Sequence, residues 1–144
     1  MISGKIFIKL LAIDFGQKRI GLAVSDPFRM FATPLTTLKN NSDFWDNLKK
    51  IIDENMIRMI ILGYPLKENG EKSDSTLAVE KFKRELEKKT KLEVILFDER
   101  YSSEIAKERI IESVKSKKKR RSKELVDMYA AAVILEDYMK ENSS

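Results

Sequence analysis

Leu10-Leu11-Ala12-Ile13-Asp14-Phe15-Gly16-Gln17-Lys18-Arg19-Ile20-Gly21 carries the strongest topological signal in the chain. An apolar run is closed by an aspartate, a glycine follows two residues later, and a second apolar run begins. This predicts a strand over Ile6–Phe15, a turn at Gly16, and an antiparallel partner over Arg19–Ser25. A carboxylate at the end of a buried strand is costly to desolvate unless something cationic or hydrogen-bonding meets it. Two readings of Asp14 follow. It either caps the turn by accepting an amide two residues on, or it contributes to a metal site shared with acids elsewhere in the chain.

Downstream, Asp26-Pro27 ends the second strand, and a third extended piece runs from Phe31 to Leu38. Pro34 in this piece predicts an edge position or an irregularity. Three strands this close in sequence should pair antiparallel, because a parallel crossover needs more residues. Spacing then becomes helical: Phe44, Leu48, Ile51 and Ile52 share a face, with Asn41 or Ser42 as N-cap. Met56–Leu62, ended by Gly63-Tyr64-Pro65, reads as a buried strand. A polar loop around Asn69-Gly70 leads to a helix capped by Ser73 or Ser75, with Val79, Phe82 and Leu86 facing inward. Leu92–Asp98 is another buried strand. A helix capped by Ser102 or Ser103 runs to about Val114, and a last one spans about Ser122–Lys140. The order β-β-β-α-β-α-β-α-α predicts an α/β protein: a mixed five-stranded sheet, three antiparallel strands then βαβα, flanked by helices. That order matches the ribonuclease H-like fold.

The chain of 144 residues suits a single domain spanning 1–144. It contains no cysteine, which excludes disulfides and thiolate metal sites. It contains no histidine, which removes the usual general base, the serine and cysteine triads and most zinc chemistry. Catalysis must then rest on carboxylates, lysines, tyrosines, hydroxyls or a bound metal. A formal charge of +5 suits a polyanionic partner. Lys5 and Lys9 interrupt an N-terminus that is too short to span a bilayer and lacks a small-residue cleavage pattern, so a cytoplasmic protein with no membrane partner is expected.

Two acids join Asp14 as candidates. Glu99 follows the strand ending at Asp98, and acids at the ends of two central strands can converge. Asp98 is its rival, since consecutive strand residues face opposite sides; an exposed Glu99 paired with Arg100 is the plainer alternative. Asp127 is the only charged residue from Leu125 to Leu135, and its helical neighbours Ala130, Ala131 and Ile134 predict an inward-facing position. Stabilisation by the helix N-terminus would explain an acid there, but Glu124 can provide that while staying wet. Three carboxylates within about 5 Å would each repel the next by roughly 3 kcal/mol at an effective dielectric of 20. A divalent cation turns that repulsion into attraction, and an all-oxygen donor set selects Mg²⁺ or Mn²⁺. Carboxylates, metal and a basic surface together read as a nuclease. The run Lys115-Ser116-Lys117-Lys118-Lys119-Arg120-Arg121-Ser122-Lys123, seven basic residues in nine, precedes Asp127 and would hold phosphates beside the acids. Lys18, Arg19 and Arg100 are further candidates for backbone contacts.

Several segments together resemble the YqgF family, also described as Holliday junction resolvase-like or pre-16S rRNA nucleases. They are Asp14-Phe15-Gly16-Gln17-Lys18-Arg19-Ile20-Gly21-Leu22-Ala23, Gly63-Tyr64-Pro65, Phe97-Asp98-Glu99-Arg100-Tyr101-Ser102-Ser103 and Val126-Asp127-Met128-Tyr129-Ala130-Ala131-Ala132. The resemblance covers about Lys9–Met139 and implies a ribonuclease H-like domain that cleaves nucleic acid with a metal. It also implies maturation of the 5′ end of 16S rRNA, in association with ribosomal precursor particles, and an acidic triad at Asp14, Glu99 and Asp127. Residues 1 to about 8 extend beyond the family's usual start, and Tyr64 stands where leucine is common. A four-way DNA junction is the alternative substrate. Two other classes compete: a non-catalytic nucleic-acid-binding module, and the sugar kinase and actin-like ATPases, which need two such domains to enclose a nucleotide.

Overall fold

The computed structural model describes residues 8–99, 108, 112 and 123–142. Its elements in chain order are β1 (Lys9–Asp14), β2 (Arg19–Ser25), β3 (Ala32–Lys39), α1 (Phe44–Asn55), β4 (Ile57–Tyr64), α2 (Asp74–Thr90), β5 (Glu93–Asp98) and α3 (Lys123–Glu141). The sheet order is β3-β2-β1-β4-β5, antiparallel among the first three strands and parallel from β1 to β4 and from β4 to β5. The predicted order of elements therefore holds for the described residues. Of the predicted helix ending near Val114, only Glu108 and Glu112 are described, and both are helical and exposed.

The apolar runs are long because the central strands are buried on both faces. Leu11, Ile13, Ile60 and Leu62 point into a core closed by Phe44 and Leu48 of α1 and by Val79, Phe82 and Leu86 of α2. Leu10, Ala12, Ala23 and Ile61 point the other way, under Ala131, Ile134, Leu135 and Met139 of α3. β3 is the edge strand that Pro34 predicted, with a register shift opposite it between Leu22 and Ala23.

Three local expectations are corrected. α1 is capped at Asp43, with no side-chain capping bond, rather than at Asn41 or Ser42. Asn41 instead makes a tight turn, its Oδ1 accepting from the Asp43 amide at 3.0 Å. Met56 does not open β4; it closes α1 in the left-handed conformation, at φ 52°. β5 lies at the sheet edge rather than at its centre, so Glu99 reaches the site from two strands away. At α2 the Ser73 cap holds as a reciprocal box with Thr76, whose hydroxyl also donates to the Pro65 carbonyl.

Candidate functional site

Asp14 ends β1 on the face that carries Leu10 and Ala12, and so on the side covered by α3. The turn after it is tight: a side chain on Gly16 would bring its Cβ to 2.5 Å from the Arg19 carbonyl oxygen. Asn40 braces that turn by donating from Nδ2 to the Gly16 carbonyl at 3.0 Å. The chain thus returns as β2 with Gly21 directly opposite Asp14.

Gly21 is where α3 meets the sheet. A Cβ on Gly21 would lie 2.1 Å from the Asp127 carbonyl oxygen and 2.9 Å from the Met128 nitrogen, so the helix backbone occupies the space of a side chain. The buried Ala130 and Ala131 allow the same close approach one turn later. On the other flank of Asp14, Ile13 is level with Leu62, which makes Gly63 the next position along β4. A Cβ on Gly63 would lie 2.3 Å from Glu99 Oε2 and 2.8 Å from Ile134 Cδ1. Two glycines therefore flank Asp14 in the sheet; the α3 backbone at Asp127 takes the space that Gly21 leaves, and the Glu99 carboxylate takes the space that Gly63 leaves. The glycines were legible in the sequence only as turn and strand-end signals; a glycine inside a strand also marks close approach of another backbone or group.

Glu99 is buried beneath α3, whereas Asp98 is exposed and level with Tyr64. Strand parity permits one of the pair to turn inward, and the inward-facing residue is Glu99. Its amide donates to the Tyr64 carbonyl at 3.4 Å, extending the β4–β5 pairing by one residue.

Asp127 is half-buried, and Arg19 Nε donates to its Oδ2 at 2.9 Å. Arg19 lies two residues before Gly21 on the same face of β2, so strand parity aims it at α3. Among the described residues no three acids are drawn into a ready-made metal cage. The donor chemistry at this corner still suits a hard divalent cation, because every side chain that could ligate there offers oxygen. Lys18 is exposed beside the corner. Arg100, Lys117, Lys118, Lys119, Arg120 and Arg121 lie outside the described residues.

On the opposite face of the sheet, Tyr64 donates to Glu80 Oε2 at 2.5 Å, and Lys72 Nζ reaches the same oxygen at 2.7 Å. The Glu80 bond holds the Tyr64 phenol above its ordinary pKa, and Lys72 and Tyr64 together hold the Glu80 carboxyl below its own. This set ties the segment after β4 to α2. Phe28 and Phe31 are exposed on the β2–β3 connection, whose shape is set by Asp26 accepting the amides of Phe28, Met30 and Phe31 at 2.7–3.0 Å.

Residues 8–141 match the model of the family described as "RuvX: Holliday junction resolvase". The chain is 38% identical over 136 residues to a Chlorobaculum tepidum protein named "Putative pre-16S rRNA nuclease", covering 94% of this chain and 95% of that one. A protein of the same name from Chlorobium phaeobacteroides is 39% identical over 143 residues, covering 98% and 99%. One from Koribacter versatilis is 42% identical over 134 residues, covering 92% and 86%. Among solved structures, Thermus thermophilus RuvC in complex with a Holliday junction substrate superposes with a TM-score of 0.57 at 14% identity, covering 95% of this chain and 98% of that one. The fowlpox virus Holliday junction resolvase gives 0.53 at 13% identity, covering 93% and 99%. These structural likenesses establish the ribonuclease H-like fold.

Proposed function

This chain belongs to the RuvX family, described as Holliday junction resolvase, and from that premise we propose that it is a metal-dependent nuclease hydrolysing phosphodiester bonds of structured nucleic acid. Precursor 16S rRNA is the proposed substrate, reached in the cytoplasm on ribosomal precursor particles; the names of the curated relatives support that choice. No helix among the described residues is long and apolar enough to cross a membrane.

The observation that carries the reading is the placement of Glu99 and Asp127 on the two glycines that flank Asp14. Asp14, Glu99 and Asp127 are the side chains that would hold Mg²⁺ or Mn²⁺. Bound there, such a cation supplies an activated water and stabilises the leaving oxygen. The chain's own contribution is placement. Gly21 seats the α3 backbone at Asp127, Gly63 leaves room for the Glu99 carboxylate under Ile134, and Lys18 offers a cation to the nucleic-acid backbone. Arg100 and the run Lys117–Arg121 add phosphate contacts in this proposal, giving salt-dependent affinity without sequence specificity.

The test is a Mg²⁺- or Mn²⁺-dependent cleavage assay on a pre-16S leader RNA and a four-way DNA junction, with Asp14→Asn and Asp127→Asn variants. The expected result is cleavage of the RNA by the wild type and loss of at least a hundredfold in each variant. Equal cleavage by all three proteins would remove the triad from the chemistry. The alternative, junction resolution, is favoured by the family model's description; it requires paired cuts across a two-fold axis, so selective cleavage of the junction by a dimer would replace RNA as the substrate.

A further inference from the structure

Arg19 sits in an unusual place for a phosphate-binding cation. Its Nε donates to Asp127 Oδ2 at 2.9 Å, on one of the three carboxylates assigned to the metal. The two side chains retain 30% and 25% of their exposure, so the pair faces solvent and can exchange. The contact uses the inner nitrogen of the guanidinium, and among the described residues neither terminal nitrogen is hydrogen-bonded. A guanidinium and a divalent ion cannot share one carboxylate oxygen without mutual repulsion.

We propose that Arg19 is an exchangeable counter-charge at the site. It competes with the divalent cation for Asp127 Oδ2, and the cation's arrival frees it to bind a phosphate of the incoming nucleic acid. This rests on the reading of Asp14, Glu99 and Asp127 as the metal-binding acids. Arg19 suits both tasks: its anchor at the start of β2 is held by the Gly16 turn, while its long stem lets the planar head move from a carboxylate to a phosphate, both of which it binds in the same geometry. It is a positioning residue rather than a catalytic one, since in this account it acts through Asp127 and then on the substrate backbone.

The test measures Mn²⁺ binding by the spin-resonance signal of the free ion, in wild type, Arg19→Gln, Arg19→Lys and Asp127→Asn. Removing the guanidinium should tighten Mn²⁺ binding about threefold to fivefold, the upper part of the range for losing one partly exposed charge pair. Arg19→Lys, which keeps the charge, should stay within about twofold of wild type. Unchanged affinity in Arg19→Gln, with Asp127→Asn strongly weakened, overturns the competition while leaving the metal site standing. Asp127→Asn binding as tightly as wild type removes the metal site itself, and the proposal with it. Binding of a leader RNA gives a second readout: the deficit of Arg19→Gln should be larger in Ca²⁺ than in a chelator, and an equal deficit overturns the handover. The wild-type chain tests the same point without substitution. The Arg19 Nε–H resonance should shift and exchange faster with water as Mg²⁺ is added; a resonance unchanged at saturating Mg²⁺ overturns the proposal.

Discussion

Replacing Gly21 with alanine adds one methyl group at the point where the last helix rests on the sheet. The Cβ would sit 2.1 Å from the Asp127 carbonyl oxygen and 2.4 Å from its carbon, whereas ordinary contact begins near 3.4 Å. The helix must therefore rise by about 1 Å, because neither obstructing atom belongs to a side chain that could rotate away. Backbone preference pushes the other way: Gly21 does not have a positive φ, so alanine would ordinarily stabilise such a strand position by about 0.5–1 kcal/mol. Overpacking of this kind costs about 1–3 kcal/mol, and obstruction by helix backbone puts it at the top of that range, so the expected net result is a loss of about 2 kcal/mol in urea unfolding. Activity should fall further than stability alone dictates, because lifting Asp127 by about 1 Å from Asp14 is a misplacement worth about a hundredfold in rate. Gly63→Ala supplies the contrast. There the nearest atom is the end of the Glu99 side chain, which can swing aside, so folding should change by less than about 1.5 kcal/mol while metal-dependent cleavage is lost. A Gly21→Ala protein with wild-type unfolding midpoint and wild-type activity would refute the seating of α3 on this glycine.

Three other perturbations have definite signs. Burial pushes the Asp26 carboxyl up in pKa, but the amides of Phe31, Met30 and Phe28 outweigh it and leave it lowered, so its stabilisation is present above about pH 4 and is lost as pH falls through the folded value. Asp26→Asn should accordingly be less stable than wild type by about 0.5–1 kcal/mol at pH 7 in urea unfolding, and the difference should shrink as pH falls below about 4. The Glu80 bond raises the Tyr64 phenol, so its contribution is complete below about pH 10 and disappears as pH rises through the folded value; Tyr64→Phe should abolish that alkaline loss and remove a step above about pH 10 from the tyrosinate absorbance titration. Lys91 ends α2 at φ 62°, a conformation that favours glycine, and Lys91→Gly should raise stability by about 0.5–1 kcal/mol in the same unfolding assay.

Much of this architecture is legible in the residues because the central strands are buried on both faces and so appear as unbroken apolar runs bounded by Gly, Pro and charged residues. The short connections around Gly16 and Asp26-Pro27 left antiparallel pairing as the available option. What was hidden was set by tertiary position. Met56 and Lys91 stop their helices in a left-handed conformation without the glycine that announces such an ending, so the α1–β4 boundary was misplaced. Whether β5 lies at the centre or the edge depends on which side of β1 its parallel neighbour joins, and no local pattern states that. Asp98 and Glu99 were separable by parity only once α3 had defined the covered face. Arg19 looked like one more surface cation because its partner lies 108 positions away.

In the proposed metal site, charge explains why such a pair belongs beside Asp127. Counting only these four side chains, three carboxylates and one guanidinium leave two formal negative charges, which one divalent ion balances. Replacing Arg19 with a neutral residue would leave three, and the site would hold its metal more tightly. It would then present residual negative charge to a polyanion, and each phosphate approaching within about 5 Å would meet a repulsion of roughly 3 kcal/mol at an effective dielectric of 20. A cation on Asp127 therefore trades metal affinity for tolerance of substrate. The two halves of the proposal are linked by this trade: an Arg19 variant that gains affinity for Mn²⁺ must lose affinity for RNA in the presence of metal. Both moving in the same direction would be incompatible with a guanidinium that alternates between Asp127 and a phosphate.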